Sequence, residues 1–367
     1  MPLLSLNNRV RRTPFTRRVE AHGVKSYSVY NHMLLPTVFN SMEADYHHLK
    51  RNVQVWDVSC ERQVAVRGPD ATKLVQKLTP RDLSKLKIGQ CYYTPMVDAQ
   101  GGMLNDPLTL KLADDHYWIS IADSDLRLWI EGIANALGLD VRVDEPDVSP
   151  LAVQGPKSDD LMAQVFGDEI RDISFFRFRV LPFEGRELIV ARSGYSKQGG
   201  FEIYVDSEEV AEPLWDALFA RGRDLNVRAG CPNGIERIEG GLLSYGADIT
   251  RADTPFECGL GKFCAQVDDI DCIGRDALRR AHAEGLHRQI RGLMIDGDPI
   301  TACRERWMVS ANGNAIGDVR SAVWSPDLGV NIAISMIEAS HWETDTHVEV
   351  STSDGQRMAT VCALPFI

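Results

Sequence analysis

The chain contains no apolar run approaching the roughly 18–20 residues that a membrane-spanning helix needs, so no span is expected. Its first residues, "MPLLSLNNRVRRTPF", hold a short apolar patch without a hydrophobic segment and small-residue cleavage site after it. A cytoplasmic protein is the expectation. None of the eight cysteines (Cys60, Cys91, Cys231, Cys258, Cys264, Cys272, Cys303, Cys362) forms a C-x-x-C pair, and none has zinc-ribbon spacing. They read as free thiols, mostly buried as small apolar residues. None of the nine histidines forms an H-x-x-x-H pair, and the adjacent His47 and His48 would diverge on a helix. No metal site is expected. Acidic residues outnumber basic ones, 52 to 40. The net charge of −12 repels nucleic acid and anionic membrane, so neither is expected as a partner, and a small-molecule enzyme fits better. No segment is low-complexity.

What is present is ordinary globular composition, 44% hydrophobic and 25% charged over 367 residues, long enough for two or three domains. "VAVRGPDATKLVQKL" (64–78) resembles "LAVQGPKSDDLMAQVF" (151–166). In each, an apolar strand meets Gly-Pro and then a helical pattern, with Ala71, Leu74, Val75 and Leu78 on one face of the first helix. Leu161, Met162 and Val165 share a face of the second. A duplicated α+β unit follows, with chance similarity of two strand–turn–helix units as the alternative. "HYWISIAD" (116–123) and "RELIVARS" (186–193) are strand-like, and "EPLWDALFARG" (212–222) is helical. Beyond about residue 285 short strands alternate with Asn-Gly, Ser-Pro and Asp-Gly turns, which predicts a separate β-barrel or sandwich. The expected division is 1–284, with lobes over roughly 50–145 and 146–250, and 285–367.

Three segments could carry chemistry. "ARSGYSKQGGFEIYVD" (191–206) is no Walker A loop, because Gly199-Gly200 runs into a strand, and it holds no G-x-G-x-x-G. It reads as strand–loop–strand. One reading is a hairpin that needs glycine. The other starts from Tyr195 and from Glu202, which alternation places with Tyr204 on the face opposite Phe201 and Ile203. A carboxylate beside aromatics can accept two parallel N–H bonds from a planar heterocycle such as a pterin. In "CYYTPMVDAQGGMLNDP" (91–107), Asp106 before Pro107 is either a turn former or a pocket-facing carboxylate. In "GIERIEGGLLSYGADITRADTPFECGLGKF" (234–263), Arg237 shares a helical face with Gly241, and reads as a surface ion pair or as a site of close ligand approach.

Taken together these segments resemble the aminomethyltransferase family, the glycine-cleavage T-protein and its relatives. The matching residues are Tyr93-Thr94, Gly101-Gly102 with Asp106, Gly194-Tyr195 with Gly200-Phe201-Glu202, Arg237 with Glu239 and Tyr245-Gly246, and Thr254-Pro255 with Glu257 and Gly259-Leu260. "DCIGRDAL" (271–278) and "AIGDVRSAVWSPDLGVNIAI" (315–334) match as well, so the likeness spans nearly the whole chain in order. It implies an α+β fold, three domains in a cloverleaf around a folate, ending in a β-barrel. It also implies Glu202 as the pterin-binding residue, Asp106 as the catalytic-site aspartate that also contacts folate, and Tyr93, Tyr195 and Arg237 as folate-lining residues.

"VYNHMLLP" (29–36), "WDVSCERQV" (56–64) and "SKQGGFE" (196–202) depart from the T-protein pattern and resemble the members that demethylate dimethylsulfoniopropionate. Tyr195 stands where those members carry Trp. The implied reaction moves a sulfonium methyl to tetrahydrofolate as acceptor, without metal, by alignment of the reacting atoms. Tyr30, Tyr195 and Tyr204 would hold the cation on aromatic faces. Ser120 would hydrogen-bond the substrate carboxylate, Asp106 would steady charge near folate N5, and Glu202 would fix the pterin. The alternative for Tyr30 and Ser120 is plain packing. A homodimer is implied by resemblance alone. The alternative activity is a related folate-dependent demethylase or aminomethyltransferase with another donor: a methylamine, a betaine, a methoxy-aromatic or a lipoyl-linked aminomethyl group. A folate-binding assembly factor lacks its K-G-C-Y-x-G-Q-E signature here, and a flavin-linked oxidase module lacks its dinucleotide-binding domain.

Overall fold

The Gly-Pro repeat of the sequence is a repeated set of backbone contacts in the computed structural model, which describes residues 7–264, 267, 269–301 and 303–367. The apolar patch at residues 1–6 lies outside the described residues. Each strand ends on a glycine at positive φ, +132° at Gly68 and +127° at Gly155. A Cβ on Gly68 would stand 2.5 Å from the Asp140 carbonyl oxygen, and one on Gly155 2.3 Å from that of Asn52. No other residue fits either turn. Gly68 N–H donates to Asp115 O at 2.9 Å, and Gly155 N–H to Gly199 O at 3.0 Å. The glycine carbonyls open the helices by accepting from Ala71 N–H and Ser158 N–H. The short turn before strand His116–Ser120 therefore corresponds to the long loop before strand Gly200–Val205.

The chain forms two compact units. The first comprises Met1–Thr72, Leu86–Tyr92 and Leu108–Asn233. Its first copy contributes a five-stranded sheet in the order Arg142–Asp144, Gln63–Arg67, His116–Ser120, Leu108–Ala113, Gln90–Tyr93. The second contributes a six-stranded sheet, Phe178–Phe183, Arg186–Ala191, Gly200–Val205, Ser149–Gln154, Gln54–Asp57, Arg228–Gly230. Alternation along Gly200–Val205 works as expected. Phe201 and Ile203 join a core with Leu161 and Met162 from helix Ser158–Phe166 and Leu214, Trp215 and Leu218 from helix Glu208–Arg221. Tyr204 faces the other way, clustered with Ala65, Cys91, Leu110 and Trp118. Ala71, Leu74, Val75 and Leu78 are fully buried, as their spacing requires. In the second helix Phe166 is buried and Val165 only half-buried.

The second unit comprises Lys73–Lys85, Tyr93–Pro107 and Gly234–Ile367. Its C-terminal part is a closed barrel, resolving the barrel-or-sandwich alternative. The strand order is Arg288–Ile295, Val330–Glu338, Asn314–Ser325, Trp307–Ala311, His347–Thr352, Gly355–Cys362. Asn312 and Gly313, at φ 51° and 78°, make the tight turn that the Asn-Gly pair signals. All eight cysteines are free, and only Cys303 and Cys362 are not buried. Among the described residues no helix is long and apolar enough to cross a membrane.

One ion pair is sunk in the second unit. Arg320 Nη1 and Nη2 donate to Asp253 Oδ2 and Oδ1 at 2.6 and 3.0 Å, with side chains 1% and 0% exposed. Burial pushes the Asp253 carboxyl up, but the Arg320 bonds and charge outweigh it and hold the carboxyl below its ordinary value. Removing Arg320 leaves the buried Asp253 carboxylate to the two Thr250 donors and to Arg288 Nη2 at 3.2 Å. With that second cation still in place, Arg320→Met should cost about 3 kcal/mol in urea unfolding at neutral pH. Arg320→Met combined with Asp253→Leu should recover most of that loss.

Candidate active site

In the first unit the central feature is Glu202, 5% exposed. Ser193 Oγ donates to its Oε2 at 2.5 Å, and the Tyr204 hydroxyl reaches the same oxygen at 3.4 Å. Among the described residues no hydrogen bond reaches Oε1. Burial raises the Glu202 carboxyl, and the two hydroxyl bonds oppose that rise. Tyr204 is 1% exposed, with its ring 6.0 Å from that of Trp118. Burial, then the Glu202 charge, pushes its phenol well above the ordinary value, so it stays a neutral donor. Tyr195 sits half-buried in the loop between Gly194 and Gly200, whose φ values are 137° and 155°. The two sequence readings of this loop are thus compatible: glycine is required, and a buried acceptor stands behind it.

Tyr30 ends strand Ser26–Tyr30, and Asn31 and His32 turn the chain at φ 50° and 62°. Asn31 pins this turn. Its Nδ2 donates to Cys60 O at 2.9 Å, its N–H to Asp123 Oδ1 at 2.7 Å, and its Oδ1 accepts from Ser124 N–H at 3.0 Å. Ser120 is buried, and its Oγ accepts from Gln63 Nε2 at 2.9 Å. Among the described residues no hydrogen bond takes up its own proton.

In the second unit Asp106 follows strand Met103–Asn105 and keeps some accessible surface. Its Oδ2 accepts from the Tyr93 hydroxyl at 2.6 Å. The surroundings are dense enough that burial lifts this carboxyl to about 7. The Tyr93 bond lowers it, and the charge of Asp248 raises it further. Asp248 is fully buried and answered three ways, by Arg237 Nη1 at 2.7 Å, Ser321 Oγ at 2.5 Å and Ser244 N–H at 2.8 Å. Arg237 Nη2 also donates to Ser321 Oγ at 2.7 Å. Arg237 is therefore no surface ion pair, and Glu236 and Glu239 beside it are buried. Tyr245 donates to Met103 O at 3.3 Å, and its phenol is raised by burial and by the Asp106 charge. The Tyr93 ring lies 5.3 Å from Phe263.

The structure thus joins Tyr93 to Asp106 and Tyr204 to Glu202 directly, and reaches Arg237 from Asp106 through Asp248. Sequence reasoning missed Ser193, Asn31 and Asp248 as supports. An Asn at a two-residue turn was the one available signal. Among the described residues no group of three or more His, Cys, Asp or Glu side chains could hold a metal ion.

Residues 15–267 match the family description "GCVT N-terminal domain", and residues 288–367 match the glycine cleavage T-protein C-terminal barrel domain. The chain is 60% identical to the dimethylsulfoniopropionate demethylase DmdA of Ruegeria pomeroyi, over 97% of each chain. It is 32% identical to an aminomethyltransferase of a Geobacillus species, over 97% of this chain and 98% of the other. Among solved structures, the glycine cleavage system aminomethyltransferase T of Bartonella henselae superposes with a TM-score of 0.88 over 98% of both chains, at 23% identity.

The raised Asp106 carboxyl has a consequence for stability. The folded chain binds this proton more tightly than the unfolded chain, so the carboxyl costs stability as pH rises from about 4 to about 7, and the full cost persists above. Asp106→Asn should therefore raise the melting temperature at pH 8 and change it little at pH 4. Paired thermal scans of both proteins check the sign.

Proposed function

The chain belongs to the glycine cleavage T-protein family, and on that basis we propose that it transfers a methyl group from dimethylsulfoniopropionate to tetrahydrofolate. The products are methylmercaptopropionate and 5-methyltetrahydrofolate. The observation that carries this reading is the 60% identity, over nearly the full length of both chains, to a dimethylsulfoniopropionate demethylase.

The residues fit a bound folate. Glu202 Oε1 is a buried acceptor with no protein donor among the described residues, which suits the adjacent N–H donors of a pterin. When bound, tetrahydrofolate supplies the N5 lone pair that takes the methyl carbon while the C–S electrons pass to a neutral thioether. Glu202, steadied by Ser193 and Tyr204, orients the ring. Asp106, held by Tyr93, stabilises the positive charge that develops near N5, and a carboxyl near 7 is placed to take the proton released there. Arg237 pairs with Asp248, the residue whose charge Asp106 feels. Tyr30, Tyr195 and Tyr204 supply aromatic faces for the sulfonium, and the Ser120 hydroxyl donates to the substrate carboxylate. Tyr195 is a smaller face than the Trp expected there. The proposal extends to a cytoplasmic homodimer, which sedimentation at working concentration would reveal.

The first test mixes protein, tetrahydrofolate and dimethylsulfoniopropionate without oxygen or added metal. Both products should appear in equal amounts by mass spectrometry. Absence of both, with a betaine, methylamine or lipoyl-linked aminomethyl donor consumed instead, would replace the donor with one of the second class, which the 32% identity to an aminomethyltransferase favours. Glu202→Ala should raise the folate KM at least about tenfold, and Asp106→Ala should lower kcat about 100-fold, both in folded protein. In the wild type kcat/KM should rise with pH through about 7, as Asp106 loses its proton. Tyr93→Phe removes a bond that favours the charged carboxylate, so that limb should move to higher pH.

A further inference from the structure

Gln154 ends strand Ser149–Gln154 and is fully buried. Its Nε2 donates to the carbonyls of Ser193 at 3.1 Å and Phe201 at 3.3 Å, the residues that flank loop 194–200. Its Oε1 accepts from Ser196 Oγ at 2.8 Å, inside the loop. Cβ atoms on Gly194 and Gly200 would stand 2.0 and 2.6 Å from that same Nε2. The loop closes around one amide group because neither glycine carries a side chain there. Gly155 N–H completes the clamp on Gly199 O at 3.0 Å.

The loop carries Tyr195. Its entry residue, Ser193, bonds Glu202, and Phe201, whose carbonyl Gln154 holds, precedes Glu202 in sequence. In the first copy the residue before the equivalent glycine is Arg67. Its Nε donates to His116 Nε2 at 3.0 Å, and the turn it borders is short. Of the two copies, the one with the lengthened hairpin carries the buried amide, and the other carries Arg67 at that place.

We propose that Gln154 is a positioning residue for methyl transfer, fixing Tyr195 and Glu202 relative to one another through loop 193–200. The proposal rests on the methyl-transfer reading above. A side-chain amide is the suitable group, since it offers two N–H donors to two carbonyls and one acceptor to a hydroxyl in a single plane. Leucine has the size but leaves both carbonyls and the Ser196 hydroxyl without their partner. A reaction governed by alignment is sensitive to small displacements of the residues that hold its substrates.

The test compares wild type, Gln154→Leu, Ser196→Ala, Tyr195→Ala and the Gln154→Leu/Tyr195→Ala pair. Amide hydrogen exchange is read over 193–202 and over barrel strand Arg288–Ile295, and kcat/KM is read for the donor. Gln154→Leu should speed exchange in the loop about tenfold or more, leave the barrel strand unchanged, and lower kcat/KM by between about 10- and 100-fold. Adding Tyr195→Ala should then cost far less than it costs alone, because both changes disable one loop. Multiplicative losses with unchanged loop exchange would overturn the proposal. If Gln154→Leu does not fold, Ser196→Ala decides: faster loop exchange and a loss in kcat/KM support the clamp, and no change in either refutes it. A wild type that moves no methyl group would defeat the functional reading instead, and loop exchange would still decide whether Gln154 holds the loop.

Discussion

A carboxylate taken out of water must find donors or surrender its charge, and this constraint acts on Glu202 in the first unit and on Asp106 in the second. Glu202 meets it with two hydroxyls on one oxygen, while among the described residues no donor reaches the other. Asp106 accepts from the Tyr93 hydroxyl and feels the negative charge of Asp248. The outcome is a carboxyl near 7, which changes charge around neutral pH.

Much of the remaining structure supports these two groups. Gly68 and Gly155 set the same turn twice, but only the second copy lengthens the following hairpin into a loop. The β alternation that buries Phe201 and Ile203 against helices turns Glu202 and Tyr204 to the opposite face. In the second unit Arg237, Ser321 and Ser244 hold Asp248, which in turn acts on Asp106 through charge. The family resemblance would have Arg237 line the folate, and its guanidinium is bonded to Asp248 and Ser321.

The sequence patterns that proved legible were local ones. The Gly-Pro repeat, the strand after Gly200, the helix around Trp215 and the turn-rich C-terminal barrel follow from spacing and from glycine's access to positive φ. Asp106 and Glu202 stood out because a carboxylate interrupts an otherwise strand-like run. Their supports did not. Asp248 and Ser321 are 73 positions apart, and Gln154 and Ser193 are 39 apart, and nothing in the local pattern of either marks a partner. Arg237, with glutamates as neighbours, could be read either as one member of a surface ion pair or as a site of close ligand approach. The buried aspartate that actually engages it lies 11 residues on, past a turn.

The most direct measurement gives the protein dimethylsulfoniopropionate deuterated in its S-methyl groups, together with tetrahydrofolate, and follows both products by mass spectrometry through a single turnover. The account predicts 5-methyltetrahydrofolate carrying the full deuterium content of one methyl group, formed in step with methylmercaptopropionate. Unlabelled folate product, or loss of the donor methyl to anything other than folate, would contradict it.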